Sequence, residues 1–174
     1  MLLASGVNFG FRRTLLHTLG ISVGFCVLLL SVGLGLGTLF TALPQLQTAL
    51  KVLGSLYMLY LAFRLARSRK LANSDSIDAA QPMTFVQAAL FQWVNPKAWV
   101  MAVSSMALYT DPLRPYLSVL GVAAVFSLLN WPSCSVWVVF GQALSGFLSH
   151  PSRLQWFNIA MGVLLALSVV LIVQ

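Results

Sequence analysis

The chain has 174 residues, 59% of them hydrophobic and 7% charged, with a net charge of +7 and a mean hydropathy of +0.90. This composition excludes a soluble globular domain and points to an integral membrane protein. The cations gather at the ends of apolar runs rather than along one face, so the positive balance reflects membrane topology, not nucleic-acid binding.

The opening stretch, residues 1–11, is apolar but too short to cross a bilayer, and Arg12-Arg13 follow at once. A signal peptide carries its charges before its apolar core, so this order reads instead as the final turns of a helix, the remnant of a first span. Five runs then reach the roughly 17–25 residues that cross about 30 Å of hydrocarbon. They cover about 15–40, 50–66, 83–109, 116–141 and 155–173. Lys51 and Arg64, near the ends of the second, can carry their charged heads to the interfaces. Leu43-Pro44-Gln45, Asn73-Ser74-Asp75, Asp111-Pro112 and His150-Pro151-Ser152 supply turn chemistry between runs. The expected architecture is an all-α polytopic transmembrane helix bundle, five full spans plus the remnant, forming one transporter domain over 1–174. Residues 50–56 weakly resemble 158–164, with Gly54 over Gly162. That likeness predicts inverted three-helix repeats: an incomplete first repeat over about 1–66, a cytoplasmic loop at 67–81 and a second repeat over about 82–174.

Asn95-Pro96-Lys97 lies inside the third apolar run. Pro96 removes a backbone donor and clashes with the carbonyl four residues earlier, which predicts a kinked or interrupted helix. Such a break exposes backbone to a solute, so Asn95, Pro96 and Lys97 are the first candidates for a substrate path, followed by Gln92, Asn130 and Lys51. Asn130-Trp131-Pro132-Ser133 marks a second candidate kink. Gly20, Gly24, Gly33 and Gly37 form small-residue faces for close helix packing. His17, four residues past Arg13, is expected at the interface. Cys26 and Cys134 have no metal or redox spacing and read as buried bystanders. The acids Asp75, Asp78 and Asp111 all fall in loops, so no carboxylate proton relay can operate within the spans. No metal, cofactor or catalytic constellation is expected, and the missing Gly-rich Gly-Lys-Ser/Thr motif excludes primary pumping by this chain alone. The partners expected are the lipid bilayer and a small-molecule amino-acid substrate, with no nucleic acid and with room for a homo-oligomer. A non-transporting membrane scaffold or an inactive truncated exporter is the rival reading.

Four stretches in order carry a resemblance: residues 5–13, 50–62, 91–98 and 158–167. Together the chain resembles the LysE/RhtB family of amino-acid exporters, closest to the cysteine and O-acetylserine export branch. The resemblance implies six helices, efflux of amino acids or their derivatives and a bacterial plasma-membrane location. It also implies a first helix with a Pro-Gly-Pro-Asn type motif ahead of Met1.

With the loop at 67–81 inside, Arg12, Arg13, Arg64, Arg67, Arg69, Lys70 and Arg153 are cytoplasmic, while Arg114 and Lys51 are outside. A reporter inserted after Ser74 should therefore read as cytoplasmic and one fused at Gln174 as external. A cytoplasmic reading at Gln174 would remove one of the five crossings.

Overall fold

A computed structural model describes residues 1–36, 44–68 and 81–173. The Asn73-Ser74-Asp75 turn, most of the 67–81 loop and Gly37 lie outside the described residues. Within them the chain is helical throughout: α1 (Leu2–Ser31) with a π turn (Val32–Leu36), α2 (Pro44–Arg67), α3 (Phe85–Val94), α4 (Pro96–Tyr109), α5 (Pro115–Leu144), a short 3-10 turn (Phe147–Ser149) and α6 (Pro151–Val173). Proline opens four of these helices, because its fixed φ suits the first helical position and its missing N–H is no loss there. The predicted Leu43-Pro44-Gln45 turn is accordingly where α2 begins, earlier than the expected start at about 50.

Four helices are long and apolar enough to cross a membrane on their own. The third apolar run is divided, as the Asn95-Pro96 pair predicts. Thr84 and Gln87 form a capping box at the start of α3, and Asn95, with φ −91° and ψ 104°, ends it. The same Asn95 caps α4, its side chain accepting from the Lys97 N–H at 3.2 Å. Phe85 and Ala89 of α3 lie against Gly20 and Gly24 of α1, and Met106 of α4 lies against Gly33. The two half-helices thus advance together along α1, at ~15 and ~21 Å of rise by helix geometry. α5, in contrast, stays helical through Pro132.

The first helix is not one rod. Gly10 takes φ 73° and ψ 173°, a conformation open to glycine but strained for other residues. Ser5 then reaches Thr14 and His17, each at 3.4 Å. In a continuous helix twelve residues would separate those groups by about 18 Å, so residues 2–9 double back over the following turns. They pack against α5, with Gly6 on the Val138 carbonyl and Leu3 on Gly141, and Met1 reaches the Met58, Phe91 and Val169 cluster. This arm occupies the place of the predicted remnant.

The burial pattern is that of a lipid-embedded bundle. On α1, Thr14, Thr18 and Ser22 are buried, whereas Leu16 and Val23 are 61% and 45% exposed. In lipid, small and polar contacts hold helices together, and apolar side chains face outward. Phe25, Leu28 and Leu29 of α1, Ala98 and Ala102 of α4 and Val119 and Ala123 of α5 form the main core, toward the end opposite Gly10.

Small residues set how closely the helices approach. A side chain at Gly24 would collide with the Ala89 backbone, whereas Gly121 on α5 faces open space. Gly24→Val should therefore destabilise the protein by about 1–3 kcal/mol through overpacking. Gly121→Ala should be neutral or stabilising by up to about 1 kcal/mol. Thermal unfolding of the two variants in one detergent checks both.

Candidate functional site

A cavity of about 110 Å³ sits at the Gly10 end of the bundle. The doubled-back arm supplies Met1, Ala4, Ser5, Asn8 and Phe9, and α1 beyond the turn supplies His17. The end of α2 adds Leu61, Arg64, Leu65 and then Ser68; Gln81, Pro82 and Met83 approach from the chain before α3, and Leu165 from α6. The turn at Gly10 is what brings the arm and His17 together on this wall. That turn leaves the Phe11 N–H without a helical acceptor, and the Gln142 side chain accepts it at 2.6 Å, tying the turn to the end of α5.

Asn8, which lines the cavity, pairs with Asn158 of α6. Asn8 Nδ2 donates to Asn158 Oδ1 at 3.0 Å, Asn158 Nδ2 donates back to Asn8 Oδ1 at 3.3 Å, and Asn158 also donates to the Ser68 carbonyl at 3.0 Å. Three segments are thereby locked together: the arm, α6 and the end of α2. His17, only 4% exposed, is buried within the bundle and meets the Ser5 hydroxyl through Nδ1. Arg64 stands on the wall with its guanidinium 5.9 Å from the Tyr60 ring centre. No carboxylate lines the cavity among the described residues. The one acid among them, Asp111, serves the α4–α5 turn by accepting from the Leu113 N–H at 2.9 Å. No group of acids, histidines and cysteines suited to a metal occurs among the described residues.

None of the path residues inferred from sequence lines this cavity. Gln92 is buried on α3 and donates to the Ala88 carbonyl at 3.0 Å. Asn95 and Pro96 form the joint between α3 and α4, and Lys97 just beyond it is exposed. Lys51 is half-buried on α2. Asn130 donates to Ser22 Oγ at 3.3 Å, linking α5 to α1. Ser5, Asn8, His17, Arg64 and Asn158 were therefore missed as a group. One signal was present: Thr14, Thr18 and Ser22, spaced by four with His17 beside them, make a polar stripe in an otherwise apolar run.

The LysE type translocator family matches the chain over residues 1–174. The chain belongs to this family. It is 32% identical over 160 residues to an uncharacterized membrane protein of Pseudomonas aeruginosa, covering 86% of this chain and 71% of that protein. It is 23% identical to a homoserine/homoserine lactone efflux protein of Salmonella typhimurium, covering 95% of this chain and 82% of the relative. A cysteine/O-acetylserine efflux protein of Klebsiella pneumoniae is 24% identical, with 97% and 85% covered. No solved structure matches significantly. The family is membrane-embedded, in agreement with the apolar exterior of the bundle.

The asparagine pair is open to direct measurement. Asn8→Ala and Asn158→Ala should each destabilise by about 1–3 kcal/mol, because each leaves a buried amide unmatched. Their double-mutant cycle should give a coupling of about 0.6 kcal/mol, the usual size for bonds between membrane helices. Strict additivity in detergent unfolding would mean that the two amides do not interact.

Proposed function

We propose that this LysE-type translocator is a secondary exporter of amino acids or amino-acid derivatives across the bacterial plasma membrane. The cavity at the Gly10 end is its cytoplasm-facing substrate chamber. The observation that carries this reading is a half-open cavity that brings the Ser5, Asn8 and His17 side chains and one guanidinium together at one end of a bundle whose outer face is apolar. Polar and ionisable groups inside a membrane bundle are costly and mark solute paths. The relatives named as homoserine/homoserine lactone and cysteine/O-acetylserine efflux proteins support small amino acids as the first substrates to test.

Beyond the chamber the proposed path follows α2 toward the α3–α4 joint. Leu61 borders the cavity, Met58 lies a turn farther along α2, and Ser55 beyond it carries a buried hydroxyl with no partner among the described residues. Gly54 abuts the Val94 carbonyl immediately before the joint. Gln92, Asn95, Pro96 and Lys97 make the next stretch, with Lys51 beyond and Asn130 at the α1–α5 seam. The basic residues at the chamber end, Arg12, Arg13, Arg64, Arg67 and Arg153, orient it to the cytoplasm.

Vesicles holding the purified full chain and preloaded with labelled homoserine or cysteine test the reading. Efflux should exceed that from protein-free vesicles, and Lys97→Met should lower it several-fold at equal protein content. Efflux no faster than from empty vesicles, with the protein folded and inserted, would overturn the proposal.

A further inference from the structure

We infer that Arg64 holds the carboxylate of the transported amino acid, and that its cavity selects substrates whose side chain bears no positive charge. This rests on the exporter reading and narrows its substrate class. Arg64 borders the cavity, stacks near Tyr60 and has no carboxylate partner among the described residues. A guanidinium presents a planar fork of donors that matches a carboxylate in two parallel bonds. The Ser5 hydroxyl, held by His17 Nδ1, lies on the same wall, and His17 Nε2 has no protein partner among the described residues. These groups can serve the polar remainder of a small zwitterion.

Charge then decides what else fits. The titratable side chains on the wall are those of His17 and Arg64, neither of them anionic. A substrate carboxylate supplies the missing countercharge, whereas a second ammonium on the substrate would meet only like charge. Size acts in the same direction. An apolar cavity of about 150 Å³ holds one benzene molecule, and the 110 Å³ available here suits a side chain of few heavy atoms. Homoserine and cysteine satisfy both conditions; lysine and arginine satisfy neither.

The test uses the full chain in vesicles and follows efflux of labelled L-homoserine under competition. L-Cysteine should compete; L-lysine and 3-amino-1-propanol, which is homoserine without its carboxylate, should not. Arg64→Gln should raise KM for homoserine about tenfold or more through loss of the charge-assisted pair, and Arg64→Lys should recover part of it. Arg153→Gln, a cation at the same end but outside the cavity, should leave KM unchanged. Competition by lysine or by 3-amino-1-propanol equal to that of cysteine would overturn the inference in the wild type alone, whatever the fate of the variants. A wild-type KM in Arg64→Gln would do the same. Absence of any homoserine or cysteine efflux from the wild type would instead overturn the exporter reading, and this inference with it.

Discussion

Hydrocarbon offers no hydrogen bonds, so each polar group within the bundle has to be matched by protein or by something the protein carries. The structure follows this constraint from residue to residue. Ser31, Ser135 and Ser168 donate to carbonyls of their own helices rather than face lipid unpaired. Where the helical ladder stops at Gly10, Gln142 accepts the freed amide; where it stops at Val94, Asn95 and the Trp99 indole, bonded to the Trp93 carbonyl at 2.8 Å, take over. Many apolar side chains are left on the outer face, while a smaller set, Phe25, Leu28 and Leu29 among them, packs the core.

The cavity is a product of the same constraint. Reversing the chain at Gly10 brings Ser5 and Asn8 beneath the polar stripe of α1, and the only way to bury these groups is against one another and against Asn158. Glycines allow the required approach: Gly6 and Gly141 let the arm and α5 touch backbone to side-chain base, as Gly20 and Gly24 do for α1 and α3. The space that remains is lined mainly by apolar surface with the polar atoms of Ser5, Asn8 and His17 set into it, and Arg64, near the end of α2, makes it cationic.

Much of the fold was legible from composition and punctuation. Runs of apolar residues located the helices, and Asn95-Pro96 announced the joint because proline cannot continue a ladder from an unmodified turn. The pair Asn130 and Pro132 carried the same signature without the same result, since α5 remains helical there and Asn130 is engaged by Ser22. What could not be read was the meeting of Asn8 with Asn158 and of Ser5 with His17. The first spans 150 positions, and the second depends on a positive φ at one glycine among the chain's twelve. Helical phase was the other obstacle: Lys97 stood among the first path candidates, yet it is exposed and its neighbour Ala98 is the one buried in the core.

The joint at Asn95 also governs how force travels through the bundle. Pro96 has no amide hydrogen, so at this one point there is no ladder bond to stretch, and α3 is capped at both ends as a self-contained unit of 10 residues. Its seat on α1 is a smooth glycine surface, whereas α4 is keyed into the core by Ala98, Ala102 and Met106. Stiffness therefore changes abruptly between the two half-helices. A push delivered to α3 beside the cavity is absorbed as bending at Asn95, while α4 stays in register with the half of the bundle that it anchors.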